Sequence, residues 1–80
     1  MTREEILKIV NNIFKDVFSD DSLVINESTS ALDIEEWDSL THISLINNIE
    51  DLFKMTFTLE EVMEMKNVGE MLSIIEERIK

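Results

Sequence analysis

Asp38, Ser39 and His42 bring a carboxylate, a hydroxyl and an imidazole together within the stretch EEWDSLTHISLI, residues 35–46. Two chemistries use such groups. A serine beside a base can be a nucleophile, so the three residues can be read as a hydrolytic trio. A trio on one helix surface shows no oxyanion hole and no walls to exclude water, which argues against an enzyme. The second chemistry is modification. A helix N-terminus presents free N–H groups and the positive end of the helix dipole, so a phosphate ester on Ser39 in a first turn would sit in a receptive place. Capping is the plain structural use of the same residues, because Asp and Ser are favoured at helix starts for that reason alone. No metal site is expected: DIEEWDSLTHIS lacks the ligand alternation, turn glycine and closing glutamate of a calcium loop.

The elements that must position these groups follow from apolar period and capping signals. Thr2 with Glu5 is a capping-box pattern, and Ile6, Val10, Ile13, Phe14, Val17 and Phe18 recur at helical spacing, which predicts a helix over about residues 3–18. Residues 19–37 carry clustered Ser, Asp, Asn and Thr without a sustained period. They read as a long connection, ordered because Leu23, Val24, Ile25, Leu32, Ile34 and Trp37 can pin it to the core. Asp38 is an N-cap for a second helix over about residues 39–53. Thr58 with Glu61 opens a short helix to about Met65, and Asn67 with Glu70 opens the last one. Val68, Met71, Leu72, Ile75 and Ile79 make its buried stripe. With no strand-length alternation, no proline and one glycine, the class is all-α, with three long helices, one short helix and a long ordered loop between the first two. The five methionines read as gap-fillers in this core, and Trp37 as a packing anchor for the loop.

The second helix differs from the others. At roughly 100° per residue, Leu45, Ile46, Ile49, Leu52 and Phe53 share one side, the expected core face. Leu40, Ile43, Asn47 and Asp51 fall nearly opposite, with Ser39 and Glu50 at the edge. Two large apolar residues beside carboxylates at a helix N-terminus have the character of a docking patch. His42 is expected on the helix surface near the core boundary.

Eighty residues make one domain, 1–80, too small to shape a deep catalytic pocket, so a carrier or binding role comes before an enzyme. The chain has no cysteine, which excludes disulfides and thiolate metal sites. Its apolar runs are too short to span a bilayer, and MTREEILK lacks the basic lead of a signal peptide, so a cytoplasmic monomer is expected. Eighteen acidic residues against seven basic give a net charge of -11. That charge repels nucleic acid and anionic lipid and favours proteins with basic patches. An unmodified acidic adaptor that docks a basic protein through the second helix fits the same composition.

The triplet Asp38-Ser39-Leu40, opening a helix with an exposed apolar and acidic face in an acidic four-helix chain, resembles the acyl carrier protein family. The likeness runs from the first helix through the EEV of the short helix to NVGEMLSIIEERI at the end. It implies a four-helix acyl-carrier-like bundle that is not itself an enzyme. It also implies that Ser39 is esterified by phosphopantetheine, donated by coenzyme A under a phosphopantetheinyl transferase. The arm's thiol then holds an acyl or aminoacyl cargo as a thioester. Asp38 resembles the acidic neighbour that helps the transferase organise magnesium. Leu40, Ile43, Asn47, Glu50 and Asp51 match positions read by partner enzymes, here a loading ligase and downstream acyl-using enzymes. Where many fatty-acid carriers have a glycine or small residue before the triplet, this chain has Glu35-Glu36-Trp37. The run WDSLTHISLI is more similar to stand-alone carriers serving nonribosomal-peptide, polyketide or cell-surface modification enzymes.

Overall fold

The computed structural model describes residues 1–79. Four helices follow in order, α1 (Arg3–Phe18), α2 (Ser39–Phe53), α3 (Leu59–Glu64) and α4 (Val68–Arg78), with no strand among the described residues. Each begins where its side chains can satisfy the N–H groups that a helix start leaves unpaired. Thr2 and Thr58 form reciprocal capping boxes with Glu5 and Glu61. Asp38 forms one with Thr41, and Asn67 accepts from the Glu70 N–H. The C-termini of α1 and α2 are closed by Ser19 and Lys54 in the left-handed region, at φ 51 and 56. Glycine is the usual residue there.

The core is one cluster. Ile6, Val10, Ile13 and Phe14 of α1 meet Leu45, Ile46 and Ile49 of α2 and Val68, Met71, Leu72 and Ile75 of α4. α1 packs against both α2 and α4. Leu52, expected on the core face, is instead 55 % exposed. At about 100° per residue it falls at the margin of the arc set by Leu45, Ile46 and Ile49. α3 contributes no buried residue.

The connection between α1 and α2 is pinned as expected by Ile25, Ile34 and Trp37, all buried, and by the half-buried Leu23. Val24 and Leu32 do not join them and are exposed. The reason is local. The Asn11 side chain donates to the Leu23 carbonyl at 3.1 Å and accepts from the Ile25 N–H at 2.6 Å, which holds this stretch so that Leu23 and Ile25 turn inward and Val24 outward. Leu32 sits at the corner of a turn closed by the Asp33 N–H on the Ser30 carbonyl at 2.9 Å. The loop then covers the start of α4: the Val68 N–H donates to the Thr29 carbonyl at 2.9 Å and the Gly69 N–H to the Glu27 carbonyl at 2.8 Å. Arg3 locks this junction. It grips both carboxylate oxygens of Glu27 at 2.8 and 2.9 Å and reaches Glu76 at 3.1 Å and the Gly69 carbonyl at 2.8 Å. The Glu27 carboxyl is held below the usual carboxylate range chiefly by that guanidinium hydrogen bond.

α3 rests its partly buried Val62 against the core and is tied down by polar links on either side. The Phe57 N–H donates to Glu50 of α2 at 2.8 Å, with Phe57 itself buried just before α3. Arg78 of α4 donates to the Thr56 carbonyl at 2.9 Å and to the Glu61 carboxylate.

Candidate functional site

The start of α2 divides its work between two residues. Asp38 Oδ1 accepts from the backbone N–H groups of Leu40 and Thr41, both at 3.0 Å, and the Thr41 hydroxyl accepts from the Asp38 N–H at 2.8 Å. These bonds, that from the Thr41 N–H first, hold the Asp38 carboxyl below its ordinary range, against the opposing effect of desolvation. Asp38 is therefore the cap. Ser39, the first residue of the helix, is exposed. Among the described residues no hydrogen bond engages its hydroxyl, so it has no capping duty. It stands beside backbone N–H groups at the positive end of a 15-residue helix, where an attached phosphate is electrostatically favoured.

His42 does not complete a catalytic trio. The Trp37 indole N–H can only donate, and it meets Nδ1 of His42 at 3.1 Å; the Val62 carbonyl can only accept, and it meets Nε2 at 3.1 Å. The ring is thus a neutral imidazole protonated at Nε2. Both nitrogens are engaged, and the Asp38 carboxylate is turned to the backbone. His42 is therefore not free to withdraw the Ser39 proton. His42 is half-buried, at the core boundary as expected. Its two partners lie in the loop and in α3, contacts that no local spacing announces. Trp37 is a packing anchor, as expected from its size: it is buried, with its ring edge-on to Phe14 at 5.2 Å and 88°.

The remaining α2 positions divide as follows. Leu40 is 78 % and Ile43 53 % exposed, and Asn47 and Asp51 are exposed. Glu50 is half-buried and turned toward α3 through its bond with the Phe57 N–H. Leu40, Ile43, Asn47 and Asp51 therefore share one accessible face, with Ser39 at its upper end and Glu50 at its border. Beside Ser39 lies an open cleft of about 330 Å³ between the start of α2 and α3, lined among others by Trp37, His42, Val62, Met63 and Lys66. Its lining mixes apolar side chains with the Lys66 ammonium, the Asp38 carboxylate and the His42 imidazole. An unengaged hydroxyl at a helix N-terminus, next to such a cleft, fits a flexible arm joined through a phosphodiester. Among the described residues no cluster could hold a metal ion, and no helix is long and apolar enough to cross a membrane.

Comparison with known proteins agrees with this geometry. Residues 8–75 match the protein family described as "Phosphopantetheine attachment site". The solution NMR structure of holo acyl carrier protein from Geobacter metallireducens is similar to this chain, with a TM-score of 0.86 and 41% identity over 91% of this chain and 84% of that one. No curated protein matches the chain. The matched family spans most of the sequence, and the four-helix fold is that of the carrier whose structure it resembles: the chain belongs to the family of phosphopantetheine-carrying acyl carrier proteins, which carry cargo for enzymes and are not enzymes themselves.

Proposed function

We propose that Ser39 is the residue to which phosphopantetheine is joined, and that all 80 residues form a single carrier domain working as a monomer in the cytoplasm. The observation that carries the assignment is the division of labour at α2: Asp38 caps the helix, which leaves the Ser39 hydroxyl exposed and unbonded. In the transfer, Ser39 Oγ forms a bond to phosphorus, the pyrophosphate link of coenzyme A breaks, and the nucleotide phosphate leaves. The serine proton passes to a base of the phosphopantetheinyl transferase, since both nitrogens of His42 are engaged within this chain. Once attached, the group supplies a terminal thiol that holds the cargo as a thioester.

Leu40, Ile43, Asn47 and Asp51, with Asp38 and Glu50 at the borders, form the face that partners read. The partners are the transferase, a ligase that loads acyl or aminoacyl cargo, and downstream enzymes presenting basic patches. Charge supports this choice, because a carrier of net charge -11 is steered to basic surfaces and held in short, salt-sensitive encounters.

The test is intact mass after incubation with coenzyme A, magnesium and a broad-specificity transferase. The native chain gains one phosphopantetheinyl unit, and Ser39→Ala gains none while keeping its helical circular dichroism. Gain by the Ser39→Ala variant would move the attachment elsewhere. No gain by the folded native chain with several transferases would favour the unmodified adaptor.

A further inference from the structure

One side chain bridges two walls of the cleft beside Ser39. We propose that His42 is a positioning residue for transfer onto Ser39: as a neutral imidazole it clasps Trp37 and α3 together and so fixes the surface the transferase must fit. The inference rests on the reading of Ser39 as the attachment point. It also adds to that reading, because both ring nitrogens of His42 are engaged by Trp37 and Val62 and not by the serine.

Each half of the clasp satisfies a group that has no other partner. The Trp37 indole N–H belongs to a side chain only 9 % exposed, and a buried indole N–H left unpaired is costly. The Nδ1 atom of His42 accepts it at 3.1 Å. Val62 lies in the last turns of α3, a helix of six residues, where carbonyls lack intrahelical partners. The Nε2–H of His42 supplies one at 3.1 Å. Trp37 and Val62 both line the cleft that Ser39 borders, one from the loop and one from α3. A single ring therefore bridges two walls that share no direct hydrogen bond with each other among the described residues, while the serine is fixed independently by the Asp38 cap. Loosening the clasp should leave Ser39 in place and disturb what surrounds it.

Substitutions can cut the clasp one side at a time. His42→Gln keeps a donor for the Val62 carbonyl and loses the acceptor for Trp37. His42→Asn keeps an acceptor for Trp37 and loses the reach to α3. His42→Phe keeps a ring and loses both bonds, and Trp37→Phe removes the indole donor while retaining an aromatic ring against Phe14. The readouts are the transferase's apparent KM and kcat for the intact chain, the emission of the sole tryptophan, and the imidazole nitrogen shifts by NMR. We expect native His42 locked with the proton on Nε2. His42→Phe should raise KM roughly tenfold with kcat little changed, the size carried by two ordinary hydrogen bonds, with Gln and Asn intermediate. Trp37→Phe should add nothing to His42→Gln, where its bond is already cut, but should add to His42→Asn.

A native imidazole averaging between tautomers, or a folded His42→Gln chain with native KM and native tryptophan emission, overturns the clasp as a positioning device. Those results leave the assignment of Ser39 untouched as long as the native chain gains mass. A native chain that gains no mass overturns the assignment of Ser39 and, with it, any role of His42 in transfer.

Discussion

Leu40 and Leu45 are the same residue type on the same helix, and the structure predicts opposite consequences for truncating them. Leu45 is fully buried among α1, α2 and α4, so Leu45→Ala removes packed methyl groups and leaves a cavity, at a cost of about 2–5 kcal/mol. For a domain of this size each kcal/mol moves Tm by about 4–8 °C, so the fall is on the order of 10 °C or more. Leu40 is 78 % exposed, so Leu40→Ala should change stability by less than about 0.5 kcal/mol. Its cost comes on docking instead. Fully burying a leucine is worth about 1.5–3 kcal/mol, and most of the Leu40 side chain is still available to be covered by a partner. About 1–2 kcal/mol of binding is therefore lost, or roughly a 5- to 30-fold rise in the transferase's KM for this carrier. Thermal denaturation and initial rates of phosphopantetheinyl transfer at several carrier concentrations measure the two effects separately. A Leu40→Ala variant that melts as early as Leu45→Ala, or one whose KM is native, would refute the division of α2 into a core face and a docking face.

Two further outcomes follow from the contacts that hold the frame. A methyl group at Gly69 would lie 2.9 Å from the Glu27 carbonyl, a backbone atom that cannot swing aside, so Gly69→Ala should push the loop off α4 and lower Tm by several degrees; an unchanged Tm would show that the loop shifts freely. Acid should weaken the fold through Asp38 and Glu61, whose carboxyls are held low chiefly by the Thr41 N–H and the Arg78 guanidinium. A group with a depressed folded pKa stabilises above its ordinary range and loses that contribution as pH falls through the folded value, which here lies below the ordinary carboxylate range. Melts from pH 6 to pH 3 should show native stability falling more than that of Asp38→Asn or Glu61→Gln, and parallel curves would remove these carboxyls as the cause. Comparison with the variants is needed because protonation of the unpaired carboxylates relieves repulsion in a chain of net charge -11 and works in the opposite direction.

Most of the frame was legible because its signals are local. The helix starts at Thr2, Asp38, Thr58 and Asn67 were marked by side chains that cap within three residues, and the exposed pair Leu40 and Ile43 by period alone. What was not legible depends on distant partners. Val24 and Leu32 are as apolar as their buried neighbours, and only the grip of Asn11 and the turn at Ser30 decide which side chains face water. His42 carries no mark of its role, because the ring is defined by an indole from the loop and a carbonyl twenty residues away. Glu50 belongs to the acidic edge by angle, yet its bond with Phe57 draws it toward α3.

The two sides of the cleft are consequently built from different physics. α2 is anchored by Leu45, Ile46 and Ile49, all buried, and each such side chain is worth about 1.5–3 kcal/mol of transfer out of water. α3 has six residues and none of them buried, too few to be helical alone. It is held by the partly buried Val62 packed against the core and by His42, Glu50 and Arg78, links worth about 1 kcal/mol each once exchange with water is counted. Displacing α3 therefore costs much less than displacing α2, and the local opening it permits lies below global unfolding. With Ser39 read as the attachment point, the serine stands at one point on the better anchored helix, and the His42 clasp is one of the few links that hold the surface beside it in place.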